Sequence, residues 1–412
     1  MLTTIRGFRD ILPPQSDVFS RIEKAAREIF RLYNYREIRV PTAEYYELFV
    51  KSTGETTDIV EKEMYRFKDQ SDRDLALRPE GTPGVARAYI NNNLSQSGKN
   101  SKFYYIGSMF RAERPQAGRF REFEQLGAES IGNKSFHSDA ESIILLNDII
   151  SAVGIKSYRA EINSIGCAEC RKKYREKLLS YLKSKTELCE QCQKRIERNP
   201  LRALDCKLDA PKLTDIPEIA LCPDCLEHHN GLKKSLDLSK INYSENKFLV
   251  RGLDYYSRTV FEFKTDLLGS QDAIAAGGRY DNLIRSMGGP DAPSVGWAMG
   301  VDRAAMLIEK DFDLSGLDPS VFVISTAGEY SDYCFALTGE LRKDGIASDF
   351  SDFSLSLKSQ MRSADKSGAA FAVIVGEEEY KAGGCSVKDL KNKTQETVRR
   401  EELAAFIRSR SK

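Results

Sequence analysis

The sequence lacks the residues and motifs of several common catalytic and nucleotide-binding sites. It has only three histidines in 412 residues, His137, His228 and His229, so a histidine-centred catalytic triad in the main body of the chain is not expected. It contains no GxxxxGK[ST] pattern and no GxGxxG pattern after a strand-like segment. These absences argue against a P-loop and against a dinucleotide-binding fold.

Long apolar runs and an excess of one charge are also missing. No run approaches the roughly 20 apolar residues needed to cross a bilayer, and charged residues interrupt the opening MLTTIRGFRDILPP, so no signal peptide is recognised. The 62 basic and 61 acidic side chains exclude a general polycation but allow a local basic patch for nucleic acid. We therefore expect a cytoplasmic protein without a membrane segment, folded into two or three domains.

The order of local patterns predicts how the chain is organised. Apolar spacing predicts a helix over residues 17–33, and EIRVP (37–41) has the composition of a strand. Strand-like segments at 103–109 and 128–131 flank a polar stretch, which predicts an antiparallel hairpin with a long loop. Charged, helical patterns follow, then strand-like segments at 247–250 and 259–264, and finally an alternation of strands and helices typical of an α/β module of about 90 residues.

The polar loop of this hairpin carries much of the potential chemistry. It reads FRAERPQAGRFREFEQ, residues 110–125, and its arginines could bind phosphates in a fixed fork geometry. Glu113 could accept a hydrogen bond from an exocyclic amine, and Phe123 offers a flat face to a base. The alternative is a solvated hairpin in which the arginines pair with nearby glutamates.

Other stretches add potential binding groups. In LRPEGTPGVARAY (77–89) Glu80 would lie at a pocket mouth, where a carboxylate can hold an ammonium group, and Thr82 is a plausible helix cap. The local alternative is a capped helix start. In AGGRYD (276–281) two glycines allow close backbone approach, although a plain turn is the commoner explanation. VGWAMGVDR (295–303) is either a packing strand or part of a site that uses Arg303.

The stretch LVRGLDYYSRTVFEF (249–263) combines Arg251, Asp254, Tyr255 and Tyr256 before a strand. Adjacent side chains of an extended chain point to opposite faces, so one tyrosine is expected to line a pocket while the other packs. An ordinary aromatic strand end is the alternative.

Taken together and in this order, the motifs resemble the histidyl-tRNA synthetase family of class II aminoacyl-tRNA synthetases over essentially the whole chain. The hairpin resembles class II motif 2, VGWAMGVDR resembles motif 3, and the early helix with EIRVP resembles motif 1. The resemblance implies an α+β catalytic core, with an antiparallel sheet flanked by helices, in residues 1–160 and 246–318. It also implies a helical, Cys-rich insertion domain at 161–245 and a C-terminal α/β anticodon-binding domain at 319–412.

The resemblance further implies an activity and its partners. These are the ATP-dependent activation of L-histidine to histidyl-adenylate with release of pyrophosphate, followed by transfer of histidine to the 3′ end of tRNA(His). Mg²⁺ would neutralise the β- and γ-phosphates, and motif 1 implies a homodimer. The last 28 residues, with eight Lys/Arg against four Asp/Glu, are compatible with RNA contact, as they are with a solvated terminal helix.

The same resemblance gives roles to individual residues. Arg251 would be the catalytic electrophile, with Arg111 on the α-phosphate. The ATP site would comprise Arg111, Glu113, Arg119, Phe123 and Arg303. The histidine site would comprise Glu80, Thr82 and Gln125 around the α-amino group and Glu129, Tyr255, Tyr256 and Tyr280 around the imidazole. Arg114 and Gln116 would lie near the tRNA acceptor end.

The cysteines depart from the family's common pattern. Seven of the nine lie between Cys167 and Cys225, and paired CxxC motifs at such spacing can form a structural Zn²⁺ site. The sequence predicts one structural zinc in the insertion, with its four ligands left open among Cys167, Cys170, Cys189, Cys192, Cys206, Cys222 and Cys225. The alternative is a helical domain with reduced, partly buried thiols.

Other functions also fit parts of these patterns. One is a catalytically silent paralogue that serves as a regulatory subunit of histidine biosynthesis. A silent subunit would have no reason to keep both a C-terminal module and the complete set of Arg111, Arg251, Tyr255, Tyr256 and Arg303. A synthetase for another amino acid would not need the LVRGLDYYSRTVFEF pocket, and a simple RNA-binding module would leave the arginine hairpin unexplained.

Overall fold

The computed structural model describes residues 2–54, 57, 59–98, 100–185, 187–197, 199–206, 208–253, 255–309 and 320–410. The chain divides into two compact units, Met1–Phe312 and Asp313–Lys412. The predicted domain boundary between residues 318 and 319 lies outside the described residues. Within the described ranges, no helix combines the length and the apolar character needed to cross a bilayer.

An eight-stranded sheet organises the larger unit. In space its strands follow the order β1-β5-β6-β11-β10-β9-β7-β8, and a small three-stranded sheet has the order β2-β4-β3. The strands are β1 (Arg36–Glu37), β2 (Ala43–Tyr45), β3 (Arg66–Lys68), β4 (Asp74–Leu77), β5 (Ser101–Phe110), β6 (Glu122–Ile131), β7 (Arg159–Ser164), β8 (Tyr243–Glu245), β9 (Ser257–Lys264), β10 (Ala273–Arg279) and β11 (Ser294–Gly300). The pairings β1–β5 and β7–β8 are parallel, and the others in the large sheet are antiparallel.

Helices cover one face of this sheet. The helices of the larger unit are α1 (Gln15–Leu32), α2 (Tyr46–Thr53), α3 (Thr82–Asn91), α4 (Phe136–Val153), α5 (Ala168–Lys183), α6 (Glu190–Arg195), α7 (Pro223–Leu238), α8 (Leu283–Ser286) and α9 (Val301–Ile308). Side chains of α1, α4 and α9 pack with Leu126, Phe261 and Trp297 of the sheet in one apolar cluster. Because strand side chains alternate, the neighbouring positions face the opposite side, where the functional cleft lies.

The helical excursion predicted for residues 161–245 begins after β7 and returns at β8, both of which belong to the large sheet. It contains α5, α6 and α7, with short 3-10 turns at Pro200–Asp205 and Ala210–Lys212. Its buried leucines, such as Leu178 and Leu204, share an apolar cluster with Tyr256 and Val260 of the sheet region. The excursion therefore packs directly on the part of the core that carries the tyrosines.

The second unit is a separate α/β module built on a five-stranded sheet. Its order is β13-β12-β14-β15-β16, with parallel pairing among the first three strands and antiparallel pairing after them. The elements are β12 (Val321–Ser325), α10 (Ser331–Lys343), β13 (Ser348–Phe350), α11 (Leu357–Lys366), β14 (Phe371–Val375), α12 (Glu377–Lys381), β15 (Gly384–Asp389), β16 (Gln395–Arg399) and α13 (Leu403–Arg410). The predicted strand–helix alternation is confirmed in this unit.

Several local predictions were wrong in detail. Of EIRVP only Glu37 lies in a strand, β1, and Ile38 adds one more backbone hydrogen bond, to the carbonyl of Tyr104 at 2.8 Å. Residues 247–250 form no strand, and the AGGRYD glycines lie in β10 rather than in a turn. Residues 122–125 belong to β6, so the hairpin loop is shorter than expected.

Candidate functional site

A cleft of about 1200 Å³ opens on the sheet face opposite the apolar cluster. Its floor comes from alternate residues of neighbouring strands, including Phe123 and Gln125 of β6 and Glu262 and Lys264 of β9. Alternation explains why these four residues share one face while Leu126 and Phe261 lie in the core. The insertion contributes a wall through residues of the 202–214 segment.

The hairpin loop delivers its arginines to one end of the cleft. Arg111 Nε donates to the carbonyl of Pro79 at 3.0 Å, and its guanidinium lies 5.4 Å from the centre of the Phe123 ring. Arg119 pairs with Glu113 at 2.8 Å, and Arg111 lies 3.8 Å from the same carboxylate. The predicted alternative, arginines paired with nearby glutamates, is therefore present at Glu113. The side chains of this ion-paired group nevertheless line the cleft.

Arg303 reaches the same end from α9. Its Nε and Nη1 donate to the carbonyls of Gly118 and Ala273 at 3.2 and 2.7 Å. Burial, and then the nearby charges of Arg119 and Arg111, lower the pKa of Arg303 from its usual value. This end of the cleft therefore concentrates positive charge, as a polyphosphate site requires.

Glu80 lies at the other end of the cleft, at the start of α3. Tyr255 donates to its Oε2 at 3.1 Å, whereas no described residue donates to its buried Oε1. Burial raises the pKa of Glu80 to about 7, although Arg111, Tyr255 and Arg251 act in the opposite direction. A buried carboxylate with an unpaired oxygen is suited to an ammonium group, which would restore the lost solvation.

Glu129 of β6 is fully buried beneath this end of the cleft. Thr82 donates to its Oε1 at 2.6 Å, and Tyr280 donates to its Oε2. Burial raises the pKa of Glu129 to about 8 against those two hydrogen bonds, with a further rise from Glu80. Thr82 begins α3 without capping it, so the predicted helix cap is wrong: its hydroxyl is directed at Glu129 instead.

Both tyrosines of the adjacent pair line the cleft, so the expectation that one would pack away from it was wrong. Residues 255–256 precede β9 and are not in extended pairing, and Arg258 has a positive φ of 52°. The rings of Tyr255 and Tyr256 contact each other at 4.6 Å between centroids, and Tyr280 meets Tyr255 edge-on at 5.7 Å. The three rings form an aromatic enclosure around the two glutamates.

Arg251 lines the same cleft and connects its two ends electrostatically: its charge acts on Glu80, and its partner Glu262 acts on Arg303. Its Nη1 donates to Glu262 at 2.8 Å, while its buried Nε has no partner among the described residues. Burial acts to lower the pKa of Arg251, but Glu262, Tyr256 and Asp205 raise it above its usual value. The guanidinium therefore stays charged, with one N–H free for an oxyanion.

Three predicted positions are not part of this enclosure. Arg114 and Gln116 are exposed at the tip of the hairpin, where Gln116 forms an isolated bridge with Arg119. Asp254 lies outside the described residues. Of the remaining predicted ATP and histidine residues, all line the cleft except Glu129 and Tyr280, which lie directly behind it.

Sequence reasoning missed several cleft residues. Glu262 and Lys264 stand at alternate positions of the quoted tyrosine stretch and its continuation, so the period of two could have revealed them. Tyr105 of β5, by contrast, and Arg202 and Asp205 of the insertion reach the cleft only through tertiary packing. No local pattern marks these three.

The seven insertion cysteines gather into two groups, whereas the sequence predicted one site. Cys167, Cys170, Cys222 and Cys225 form the first group; Cys189, Cys192 and Cys206 form the second together with Asp209. In each group the candidate ligand atoms lie within 4.8 Å of one another. All nine cysteines are free of disulfide bonds.

Comparison with known proteins agrees with this architecture. The sequence model described as "Histidyl-tRNA synthetase" matches residues 7–304, and the one described as "Anticodon binding domain" matches residues 320–410. A histidine–tRNA ligase of Elusimicrobium minutum is 47% identical over 97% of both chains, and one of Aquifex aeolicus is 45% identical over 98% of this chain and 100% of its own. The crystal structure of apo histidyl-tRNA synthetase from S. aureus superposes with a TM-score of 0.83 at 31% identity, covering 99% of this chain and 100% of that one.

The antiparallel sheet with its arginine hairpin and the separate C-terminal α/β module have the architecture of class II aminoacyl-tRNA synthetases. Within that class, the chain belongs to the histidyl-tRNA synthetase family. It is an aminoacyl-tRNA ligase that acts on histidine, ATP and tRNA. The regulatory paralogue is not favoured, because the relatives matched over nearly the whole chain are histidine–tRNA ligases.

Proposed function

We propose that the cleft catalyses both steps of histidine–tRNA ligation, with ATP at the arginine end and histidine at the glutamate end. The observation that carries this assignment is Arg251, which lines the cleft together with Glu80 and Arg111 and has a buried N–H with no partner among the described residues. In-line attack by the histidine carboxylate on the α-phosphorus forms a new P–O bond and releases pyrophosphate. Fixed positive charge at the developing oxyanion lowers that barrier.

At the ATP end, Arg111 would hold the α-phosphate and Arg119 the γ-phosphate. Phe123 and Arg303 would stack on the two faces of adenine, and Glu113 would accept from its exocyclic amine. Since Arg119 and Arg111 now lie beside Glu113, ATP would exchange part of this internal pairing for pairing with phosphate. Arg303, held by two backbone carbonyls, is already fixed in place.

At the histidine end, Glu80 would take the α-ammonium group, assisted by Thr82 and Gln125. Gln125 has a buried Oε1 with no donor among the described residues, and it lies in the same cleft. Glu129 and Tyr256 would recognise the two imidazole nitrogens, with Tyr255 and Tyr280 closing the pocket. A neutral imidazole donates through one nitrogen and accepts through the other, which discriminates against other side chains of similar size.

Mg²⁺ fits the donor set of the cleft. It prefers oxygen ligands and usually binds through few protein carboxylates together with substrate phosphates, and Glu262 supplies a carboxylate in the cleft beside Arg251. When bound, Mg²⁺ would offset the charge of the β- and γ-phosphates. In the second step, the terminal ribose hydroxyl of tRNA(His) attacks the aminoacyl carbonyl, and AMP leaves.

Outside the cleft, exposed Arg114 and Gln116 at the tip of the hairpin are placed to meet the tRNA acceptor end. The C-terminal module would bind the anticodon, for which exposed Lys391 and Lys393 offer phosphate contacts. Both assignments rest on the accessibility of these side chains and on their charge or hydrogen-bonding capacity.

The chain would act as a homodimer through the region of α1 and the small sheet. In that sheet, Tyr45 and Phe67 both pair in register with Leu75, so their side chains share one face. They are 55% and 41% exposed, and exposed apolar side chains grouped on one face mark an interaction surface.

The decisive experiment is ATP–pyrophosphate exchange with each of the 20 amino acids, with Mg²⁺ and without tRNA. We expect exchange with histidine alone, and a loss of about 100- to 1000-fold in Arg251→Ala. The exposed-arginine variant Arg114→Ala is the control and should retain exchange, because adenylate formation does not need the acceptor end. Exchange with another amino acid, or none from folded protein, would contradict the assignment of the histidine pocket.

A further inference from the structure

The three CxxC pairs of the insertion share one structural arrangement. Each first cysteine is the N-cap residue of a helix, Cys167 of α5, Cys189 of α6 and Cys222 of α7. Each second cysteine is then the third residue of that helix, which returns its sulfur to the same end. Every pair therefore presents two sulfurs together, and the fold decides which pairs meet.

The first group, here called the base cluster, consists of Cys167, Cys170, Cys222 and Cys225. The Sγ atoms of Cys167 and Cys170 are 3.6 Å apart, close to the edge of about 3.8 Å in a tetrahedron with Zn–S bonds of about 2.3 Å. The backbone N–H of Cys222 donates to Cys170 Sγ at 3.2 Å. Two of the four thiols, Cys170 and Cys225, are buried.

The base cluster joins the two ends of the helical excursion. Cys167 follows β7 by three residues, whereas Cys222 starts the helix that leads back to β8. Beside it, the backbones of Ile165 and Gly166 exchange hydrogen bonds with Arg258 at 2.8 and 2.9 Å. The cluster is thereby tied to the turn that carries the cleft tyrosines.

The second group, here called the cleft cluster, consists of Cys189, Cys192, Cys206 and Asp209. Cys189 and Cys206 have sulfurs 3.8 Å apart, and Asp209, fully buried, accepts from the backbone N–H of Cys189 at 3.1 and 3.2 Å. Three thiols and one carboxylate are a suitable tetrahedral ligand set for zinc. Burying a carboxylate beside three thiols otherwise costs free energy, because the carboxylate loses its hydration.

The position of the cleft cluster gives it a consequence for the active site. Cys206 itself lines the catalytic cleft, as do its neighbours Arg202 and Asp205 on one side and Leu213 on the other. Between α6 and α7 the described chain forms only short 3-10 turns. Such a segment has little regular structure of its own, so a metal link would fix the wall that it forms.

We propose that this chain binds two structural Zn²⁺ ions, one at the base cluster and one at the cleft cluster. The base zinc closes the excursion on the core, with four thiolate ligands. The cleft zinc, with three thiolates and the Asp209 carboxylate, holds the 202–214 wall against the catalytic cleft. Metal occupancy at the cleft cluster then controls the geometry around Arg251, which lines the same cleft as Asp205.

The direct test is zinc content of the full chain, purified without chelator under reducing conditions and measured by elemental analysis. We expect about two zinc ions per chain, about one in Cys167→Ser/Cys170→Ser and about one in Cys189→Ser/Cys192→Ser. Cys334→Ser, at a buried cysteine outside both clusters, is the control and should retain two. A wild-type chain that holds fewer than two after incubation with excess zinc overturns the proposal.

A more conservative substitution tests the cleft site in case the double cysteine variants do not fold. Asp209→Asn leaves all thiols in place, and we expect it to weaken zinc affinity at one site by at least about tenfold. In the Co²⁺-substituted protein, the visible bands of only the three-sulfur site should shift in this variant. Unchanged affinity and spectrum would remove Asp209 from the ligand set and contradict the cleft site.

Kinetics then test the link to catalysis. Loss of the cleft zinc should raise the KM for ATP or histidine about tenfold, whereas loss of the base zinc in folded protein should change it less. If neither Cys189→Ser/Cys192→Ser nor Cys167→Ser/Cys170→Ser changes KM, the proposed effect of the cleft zinc on the cleft wall is wrong. Zinc content is measured without reference to activity, so a zinc-loaded chain inactive in pyrophosphate exchange would refute the proposed function and leave the metal sites standing.

Discussion

At the scale of single residues, the histidine end of the cleft depends on carboxyl groups held in an unfavourable environment. Glu80 and Glu129 are both buried, and burial raises their pKa values to about 7 and about 8. Both groups are therefore largely protonated in the substrate-free protein near pH 6. A cationic amino group beside Glu80 would favour the ionised form of the Glu80 carboxyl. The pocket would therefore gain its negative charge when the positively charged substrate binds.

These pKa values predict how stability depends on pH. A carboxyl whose pKa is higher in the folded than in the unfolded chain stabilises the fold fully at low pH and loses that contribution as pH rises. For Glu129 the window runs from about 4.3, the usual glutamate pKa, to about 8. In Glu129→Gln, the fall of the unfolding free energy between pH 5 and pH 7 should be shallower by about 1.4 kcal/mol per pH unit.

Urea denaturation of substrate-free protein at several pH values measures this slope. Glu401→Gln is the matched control, because the Glu401 side chain is 77% exposed, and it should keep the wild-type slope. Equal slopes in wild type and Glu129→Gln would show that Glu129 is ionised in the folded chain throughout the window.

At the scale of elements, strand β11 makes room for the Glu129 carboxylate by having no side chain at Gly296. A Cβ built at Gly296 would overlap Glu129 Oε2 and lie 2.6 Å from the carbonyl of Ala128. Gly277 and Gly278 of β10 are similarly close to neighbouring backbone and to the Tyr256 ring. The glycines of these two strands let the proposed imidazole pocket lie directly against the sheet.

Gly296→Ala should therefore damage both the fold and the pocket. We expect a loss of about 1–3 kcal/mol in unfolding free energy from overpacking, and a KM for histidine raised at least about tenfold because Glu129 must move. Thermal unfolding and pyrophosphate exchange measure the two effects. Gly339→Ala in α10, where no atom lies within 4 Å of the added Cβ, is the control and should be neutral or slightly stabilising.

At the scale of the whole molecule, we expect the two compact units to carry separable tasks. Every residue assigned to ATP and histidine lies in the first unit, and each unit has its own apolar clusters. A chain ending at Glu309 should keep histidine-dependent pyrophosphate exchange within about threefold and lose at least about 100-fold in charging of tRNA(His), because phosphate and anticodon contacts are removed. Pyrophosphate exchange and aminoacylation are measured in parallel on the truncated and the full chain. Equal losses of both activities in the truncated chain would show that the first unit needs the second for histidine activation.

The proposed dimer is tested on the intact chain. Phe67→Asp places a charge in the exposed apolar face of the small sheet and should shift a dimer towards monomer at micromolar concentration, as measured by analytical ultracentrifugation. Leu238→Asp, at an exposed leucine of α7, should leave the distribution unchanged. A wild-type chain that sediments as a monomer would refute the dimer.

The sequence by itself determined the family, and it supplied most of the residues of the proposed site. Motifs such as FRAERPQAGRFREFEQ and LVRGLDYYSRTVFEF resemble those of the family, and this resemblance alone predicts roles for residues such as Arg111 and Arg251. The period of two in β6 separates Gln125 from the core residue Leu126. Local patterns of this kind are readable because they depend on neighbours in the chain.

The tertiary structure alone decided which distant groups meet. Seven cysteines in sequence allow many ligand sets, and only the packing of α5, α6 and α7 divides them into two groups and adds Asp209. Packing also brings Asp205 of the insertion near Arg251. It directs the side chains of both Tyr255 and Tyr256 towards the same cleft. The physical reason is that these contacts join segments far apart in the chain, and the shape of the intervening structure sets them rather than any local preference.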